Sequence, residues 1–220
     1  MLSVRRGCSL LPYSGVVKQS IVEARLRGFD LRLATQPGVF SAHGVDAGTA
    51  LLIEAMRVSP TARVLDLGCG YGVIGIVAAK LATRGRVTLV DCDIRAARLA
   101  ERNLALNGVE NAEVVLGDGV HELPPKARFD VVVSNPPTHG GREVLEDFVH
   151  GAYKVLRPRG TLYFVFNRLP SLLREIEATF GNAEVVERSA GYMLVRAVKT
   201  PRTPRNEGEE YAAALGSRYR

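Results

Sequence analysis

Short apolar blocks alternate with polar ones along most of the 220-residue chain, and the period of the alternation separates two kinds of predicted element. From residue 63 onward, β-branched runs of strand length are separated by segments in which apolar residues recur every three or four positions, as in amphipathic helices. The predicted strands read RVLDLG, RVTLVD, AEVVLGD, FDVVVSN, TLYFVFN, AEVVERS and YMLVRAVK. This order predicts a mostly parallel sheet with helices on both faces, closed by an antiparallel pair.

A strict two-residue alternation precedes this region. Residues 21–35 place apolar side chains on one face on both sides of Gly28, which predicts a β-hairpin that turns near that glycine. Three arginines are expected mostly on the solvent-facing side of the hairpin: Arg25, Arg27 and Arg32. A turn-rich stretch, TQPGVFSAHGVDAG, then leads into a predicted helix, AGTALLIEAM, whose first turn Asp46 is suited to cap.

The patterning divides the chain into three parts. We expect an N-terminal segment over residues 1–45, a main α/β domain over 46–199 and, because residues 200–220 lack an apolar period, a flexible tail. No apolar run has the length of a membrane span or the character of a signal peptide, so we expect no membrane association. Three cysteines without a CxxC pair predict neither a disulfide framework nor a zinc site and fit a cytoplasmic location.

Charge adds one indication about partners. The net charge is +6, and residues 1–33 contain six basic residues against two acidic ones. A basic end favours a polyanionic partner, with nucleic acid first, although a solvated basic surface would have the same composition. Charge alone leaves both interpretations open.

The unusual residues of the main domain collect at the carboxyl ends of the predicted strands, where open α/β sheets bind their ligands. The first of these strands runs into DLGCGYGVIG, a loop whose glycines allow sharp turns and the close approach of a ligand. Asp91 ends the second strand at a spacing suited to a carboxylate that accepts the hydroxyls of a ribose. Asp118 follows the third strand, in a position suited to an adenine amino group, and Asn135 follows the fourth.

Two kinds of nucleotide cofactor fit such a loop. The frame Gly70-x-Gly72-x-x-Gly75 matches the dinucleotide fingerprint. Asp66, however, precedes the loop, where a carboxylate would repel a pyrophosphate but suits the cationic amino-acid part of S-adenosylmethionine. No Lys or Arg near the loop is available for a phosphate. A glycine turn that merely packs a helix against a strand is the plainer alternative, and we favour the methyltransferase interpretation.

The fourth strand ends abruptly in VVVSNPPTHGG, because Pro136 and Pro137 cannot continue a hydrogen-bonded ladder. A rigid Asn135 suits methylation of an NH₂ group, whose delocalised lone pair makes it a poor nucleophile. The Asn135 side-chain oxygen and the Pro136 carbonyl would accept the two amine hydrogens and turn the lone pair toward the methyl group. This displacement requires no metal. An ordinary strand-end cap is the alternative role of Asn135.

These motifs together resemble a known family. VLDLGCGYGVIG, VDCD, GD and SNPP occur in the order and spacing of class I S-adenosylmethionine-dependent methyltransferases. PGVFSAHGVDAGTALL, GGREVL and GYMLVRA make the chain most similar to a small-domain group that includes ribosomal RNA guanine-N2 methyltransferases and their short archaeal relatives, over about residues 20–199. The resemblance implies a Rossmann-like α/β fold with a seven-stranded, mostly parallel sheet and an antiparallel last strand, preceded here by the N-terminal β-hairpin.

The resemblance also implies which residues contact the cofactor. They are Phe40, Ser41, Asp66, Gly68, Cys69, Gly70, Gly72, Asp91, Cys92, Asp118 and Asn135. Phe40 and Ser41 would lie in a loop of the 1–45 segment that covers the cofactor, and the two cysteines would adjoin it as small packing groups.

The target amine would meet the catalytic residues Asn135, Pro136 and Pro137. Many amine methyltransferases have Tyr or Phe directly after the two prolines, whereas Thr138 stands there in this chain. The target base would then stack elsewhere or be held by Thr138 and His139, which leaves the identity of the base open.

The combined hypothesis is an N-methyltransferase that acts on an exocyclic amine in RNA, most specifically guanine N2 of ribosomal RNA, with transfer RNA as the other RNA considered. Two alternatives within enzymes are N4 methylation of RNA cytosine and N5 methylation of a protein glutamine. A non-catalytic RNA-binding assembly factor is the third, although such a protein would be expected to lose Asp91 or Asn135. The hairpin arginines are the expected RNA contacts, and the oligomeric state is left open.

Overall fold

The computed structural model describes residues 19–42, 44–137, 141–167 and 170–200, in which it contains nine strands and five helices. The strands are β1 (Ser20–Leu26), β2 (Phe29–Thr35), β3 (Arg63–Leu67), β4 (Arg86–Asp91), β5 (Ala112–Leu116), β6 (Phe129–Ser134), β7 (Leu156–Asn167), β8 (Glu184–Ser189) and β9 (Tyr192–Val198). The helices are α1 (Ala47–Ala55), α2 (Val73–Leu81), α3 (Ile94–Leu106), α4 (Arg142–Val155) and α5 (Pro170–Phe180). No helix in these ranges is long and apolar enough to cross a membrane.

Seven strands form one sheet in the order β5-β4-β3-β6-β7-β9-β8, and β1 and β2 form a separate antiparallel pair. Neighbours from β5 to β7 are parallel, whereas β9 runs antiparallel to both β7 and β8. The predicted fold class is confirmed, including the antiparallel last strand and the preceding hairpin. From β3 the chain adds β4 and β5 on one side of the sheet and then crosses to add β6 and β7 on the other side. Ligands of open α/β sheets bind at such a switch point, here between β3 and β6.

Both faces of the central sheet are buried, and successive strand residues face opposite sides. Val64 and Val131 belong to the cluster formed with α1, α2 and α3, whereas Leu65 and Val132 belong to the cluster formed with α4 and α5. This two-sided burial explains why the central strands read as continuous apolar runs rather than as alternating ones. It also fixes their carboxyl ends rigidly beside one another.

The hairpin is attached to α3 through two amide side chains that imitate a neighbouring strand. Asn103 accepts from the backbone nitrogen of Ala34 (2.6 Å) and donates to its carbonyl (2.9 Å). One helical turn later, Asn107 accepts from the backbone nitrogen of Arg32 (3.0 Å) and donates to its carbonyl (2.8 Å). These contacts satisfy backbone groups on the edge of β2 that a sheet partner would otherwise bond.

One prediction about the hairpin needs correction. Arg27 lies in the turn with a left-handed φ of 51°, and its guanidinium donates to the carbonyl oxygens of Ile53 (3.1 Å) and Met56. A cation at the carboxyl end of α1 satisfies orphan carbonyls and complements the helix dipole, so Arg27 is engaged within the fold rather than directed to solvent. Arg25 and Arg32 are exposed, as predicted.

We predict that Asn103→Ala will lower the free energy of unfolding by about 2–4 kcal/mol, because buried backbone groups of Ala34 and Tyr71 lose the side chain that bonds them. Asn107→Ala removes a similar set of bonds from a more exposed position and should cost about 1 kcal/mol. Urea unfolding of both variants measures the difference. Equal losses would show that burial of the Asn103 contacts does not matter.

Candidate active site

An open cleft of about 1320 Å³ lies at the carboxyl ends of the parallel strands. Most of the residues predicted to form the site line it: Phe40, Ser41, Gly68, Cys69, Gly70, Asp91, Cys92, Asp118, Asn135, Pro136 and Pro137. Asp66 is completely buried, and Gly72 is the N-cap of α2. The hairpin residues Arg25, Arg27 and Arg32 do not line the cleft. Thr138 and His139 lie outside the described residues.

The glycine-rich loop requires glycine for its backbone conformation. Gly68, Gly70 and Gly72 all have left-handed φ angles, of 74°, 56° and 91°. A Cβ atom at Gly70 would meet nothing within 4 Å, so backbone strain rather than crowding excludes other residues there. At Gly75 the reason differs, because a Cβ atom would lie 2.5 Å from the side chain of Leu89. Gly75 therefore allows α2 to pack closely on β4.

Asp91 holds the loop from the end of β4. One carboxylate oxygen accepts from the backbone nitrogen of Gly70 (2.8 Å), and the other accepts from that of Asp93 (2.8 Å). Burial raises the pKa of Asp91 above its ordinary value, although these backbone donors and that of Cys92 act in the opposite direction. Three backbone donors leave at least one of the four lone-pair positions of this carboxylate for a hydroxyl donor.

Asp66 lies beneath the loop as a buried acid with one unsatisfied oxygen. Its Oδ2 accepts from the backbone nitrogen of Gly75 (2.7 Å), whereas its Oδ1 has no hydrogen-bond partner in the described part of the chain. Burial, with a smaller contribution from the charge of Asp91, raises the pKa of Asp66 to about 7 despite the Gly75 bond. A nearby cation would favour the charged form of this carboxyl group.

Asn135 directly follows β6, and its amide is held from the opposite wall of the cleft. Its side-chain nitrogen donates to Oδ2 of Asp46 (2.9 Å) and to the hydroxyl of Thr49 (3.0 Å). Both amide hydrogens are thereby used, so the side-chain oxygen is on the far side of the amide from these partners. The preceding Ser134 donates to the carbonyl of Leu67 (2.7 Å), which ties the end of β6 to the end of β3.

The loop over the cleft is fixed by a residue that the sequence did not single out. The Tyr71 hydroxyl donates to the carbonyl of Gly44 (2.9 Å), and the Ser41 hydroxyl donates to the same oxygen (2.8 Å). Ser41 has a left-handed φ of 55°, and the neighbouring Phe40 is 58% exposed at the rim of the cleft. The loop thus presents an aromatic ring to the site.

Two further residues of the site, Asp46 and Tyr192, were predicted from the sequence only in part or not at all. Asp46 was expected as a helix cap, and it does accept from the backbone nitrogen of Thr49 (3.0 Å), but its contact with Asn135 was not predicted. The sequence signal for Tyr192, which donates to Asp46 (2.7 Å), is only its place in the GYMLVRA motif. Across the described residues, no cluster of three His, Cys, Asp or Glu side chains is placed to bind a metal ion.

Comparison with known proteins identifies relatives. A family model described as "Methyltransferase small domain" matches residues 30–196. Two curated relatives named "Ribosomal RNA small subunit methyltransferase C", from Cronobacter sakazakii and Serratia proteamaculans, are 36% and 35% identical over 173 and 181 residues. These alignments cover 77% and 80% of this chain but 50% and 51% of the relatives, so the chain spans about half the length of the curated relatives it matches.

Solved structures of methyltransferases also superimpose on this chain. A T. thermophilus methyltransferase that acts on N2 of a 16S rRNA guanosine, solved with AdoMet and guanosine, superimposes with a TM-score of 0.77 at 31% identity. The match covers 86% of this chain and 52% of that one. A methyltransferase from Pyrococcus furiosus matches with a TM-score of 0.63 over 78% of this chain and 90% of that one, and at 18% identity it shows the shared fold alone.

Asp66 generates a prediction about pH. Because its folded pKa of about 7 exceeds the ordinary 3.8, the folded state binds more protons, and the free energy of unfolding should fall as the pH rises from 4 to above 7. The loss is on the order of 4 kcal/mol at most. Urea unfolding at pH 4 and pH 8 measures it, and Asp66→Asn should flatten this dependence. The same slope in parent and variant would contradict the assignment.

Proposed function

The chain belongs to the methyltransferase small-domain family, and from that premise we propose that it transfers a methyl group from S-adenosylmethionine to guanine N2 of ribosomal RNA. The observation that carries this proposal is the fixed amide of Asn135, which lies in one cleft with the glycine loop and Asp91. The names of the relatives support the RNA and the guanine, since they act on small-subunit ribosomal RNA and one was solved with guanosine.

The cofactor proposal has support in the chemistry of the buried acids. The unsatisfied Oδ1 of Asp66 suits a cationic amino group, and the acceptor position left on Asp91 suits a ribose hydroxyl. Asp118, exposed in the same cleft, is suited to an adenine amino group. The residues present therefore fit S-adenosylmethionine, which supplies an electrophilic methyl group on a sulfonium when bound.

We propose that Asn135 and Pro136 orient the nucleophile. The Asn135 side-chain oxygen and the Pro136 carbonyl would accept the two N–H groups of the target amine, so that its lone pair faces the methyl group. Pro136 is buried and Ser134 ties β6 to β3, and both features limit movement of these acceptors. Positioning of this kind lowers the barrier without a strong base. After transfer, the nitrogen loses one proton to solvent.

The charges of the cleft support entry of a base rather than of the RNA backbone. Seven acidic side chains line it: Asp46, Asp91, Asp93, Asp118, Glu122, Glu143 and Asp147. Lys154 is the one Lys or Arg among the described lining residues. Phosphates would be repelled from this wall, whereas a neutral guanine would enter, and extrusion of single bases is a general solution for enzymes that act on nucleobases.

RNA affinity is proposed to come from the periphery. Arg25 and Arg32 are exposed on the hairpin and remain candidate phosphate contacts, whereas Arg27 is engaged with α1. We retain the proposed division into a 1–45 segment that helps to bind RNA and cover the cofactor, a 46–199 catalytic domain and a 200–220 tail, of which residues 1–18 and 201–220 lie outside the described residues. A ribosomal RNA substrate also supports the proposed cytoplasmic location.

Asn135→Ala should reduce methyl transfer about a hundredfold or more, the scale observed when one preorganised polar group at a reacting centre is removed. Cofactor affinity should remain within a few fold, because the cofactor's proposed contacts lie mainly at the preceding strand ends. Single-turnover methylation of transcribed small-subunit ribosomal RNA measures transfer, and calorimetry measures cofactor binding. Asn111→Ala, which removes an Asn outside the cleft, is the control. Near-normal transfer by Asn135→Ala would refute the proposed mechanism.

Replacing Arg25 and Arg32 by Ser should weaken RNA binding and flatten its salt dependence, by a slope of about 0.7–0.9 for each lost phosphate contact. A matched double variant, Arg63→Ser with Arg86→Ser, removes two other exposed cations, at the amino ends of β3 and β4. Filter binding of RNA at several salt concentrations compares the two. Indistinguishable slopes for both pairs would show that the hairpin arginines are surface charge only.

A further inference from the structure

Asp46 is the centre of a hydrogen-bond network that reaches the proposed catalytic amide. Its Oδ2 accepts from the backbone nitrogen of Thr49 (3.0 Å) and from the Asn135 side chain (2.9 Å), and its Oδ1 accepts from the Tyr192 hydroxyl (2.7 Å). We propose that Asp46 is a positioning residue for methyl transfer, which fixes the orientation of the Asn135 amide, and that Tyr192 fixes Asp46 in turn. This inference rests on the proposed function.

The network determines which end of the Asn135 amide faces the substrate. A carboxylate only accepts hydrogen bonds, so the NH₂ group of Asn135 must point toward Asp46 and its oxygen must point away. An amide turned by half a rotation would present a donor to the target amine, which also donates. The contact with Asp46 therefore selects the orientation in which Asn135 can act as an acceptor.

Helix capping alone does not require this arrangement. Ser caps a helix about as well as Asp but carries a single oxygen on a side chain one atom shorter. The Asp46 carboxylate instead serves three donors from separate parts of the chain, 89 positions from Asn135 and 146 from Tyr192. The second carboxylate oxygen of Asp46 and its longer side chain allow it to bond Asn135 and Tyr192 in addition to capping α1.

The fold makes room for Tyr192 to reach Asp46. Gly48 lies in the first turn of α1, and a Cβ atom there would be 2.7 Å from the Tyr192 ring. Burial, and then the bond to Asp46, raises the pKa of Tyr192 to about 12, so the phenol keeps its proton and remains the donor at neutral pH. Strand β9 is thereby connected through Asp46 to Asn135.

Three variants separate positioning from capping. Asp46→Ser keeps a cap for α1 but loses Asn135 and Tyr192, and its single-turnover rate should fall 10- to 100-fold, within the range for loss of orientation at a reacting centre. Asp46→Asn can place its oxygen toward Thr49 and Asn135 and its NH₂ toward the Tyr192 oxygen. The single-turnover rate of this variant should therefore fall less than about tenfold. Tyr192→Phe removes only the hydroxyl, and its single-turnover rate should fall about three- to tenfold.

The rate should fall with little change in the concentration of RNA that gives half-maximal transfer, because the network touches an orienting group rather than a binding surface. A double-mutant cycle tests the route of action. In the Asn135→Ala background, Asp46→Ser should cause no further loss, whereas a merely structural role would make the two losses multiply. Multiplying losses, or an unchanged rate in Asp46→Ser, would overturn the proposal.

A second measurement needs no substrate. The Asn135 side-chain amide is identified in a ¹⁵N–¹H spectrum by its disappearance in Asn135→Ala. In Asp46→Ser its resonances should shift and its hydrogen exchange with solvent should accelerate at least severalfold, because the carboxylate acceptor is lost. An unchanged amide signal would overturn the proposal. If the parent protein methylates no RNA, the proposed function fails, and the amide signal still decides whether Asp46 holds Asn135.

Discussion

The site depends on one kind of interaction, in which carboxylates at the ends of strands accept hydrogen bonds from backbone amides of the glycine loop and of the first turn of α2. Asp66 accepts from Gly75 and Asp91 from Gly70, and together these bonds hold the glycine loop in conformations that only glycine adopts readily. Burial penalises both charges and raises both pKa values, so the loop is held by acids whose charged form the protein alone leaves undercompensated. A ligand with a positive charge and a hydroxyl donor would compensate them, so the same groups can serve both the fold and the proposed cofactor.

Side-chain amides carry the next level of organisation, because they can donate and accept at once. Asn103 bonds both backbone groups of Ala34 and also donates to the carbonyl of Tyr71 (2.8 Å), and the Tyr71 hydroxyl continues to Gly44. One buried residue of α3 thus joins the hairpin, the glycine loop and the loop over the cleft. The hairpin is therefore part of the support of the site. A change in its attachment to α3 is expected to alter the positions of the glycine loop and of the loop over the cleft.

The sequence allowed prediction of the features that depend on local patterns. The strands, the hairpin turn at Gly28, the cap by Asp46 and the cluster of acids and Asn135 at the strand ends all follow from periodicity, turn chemistry and the geometry of parallel sheets. Arg27 was assigned wrongly because alternation on a strand does not show that a turn residue reaches the end of α1, 26 positions away. The Asp46–Asn135–Tyr192 network was missed for the same physical reason: its members are distant in sequence and are brought together only by tertiary packing, in which α1 lies against β7 and β9.

Charge and chemistry are separated in space in a way that fits the proposed reaction. The cleft wall is acidic, which suits a cationic cofactor and a neutral base but opposes phosphate, while exposed arginines lie on the hairpin outside it. An RNA held by the exposed arginines of the hairpin would insert into the acidic cleft only an uncharged base and not a phosphate. If the proposed function is right, RNA affinity would depend on salt through the exposed arginines, whereas the methyl-transfer step would depend on the orientation of the Asn135 amide. The proposed effect of the Asp46 network concerns that step rather than RNA binding, since its contacts are to Thr49, Asn135 and Tyr192 and not to any basic residue.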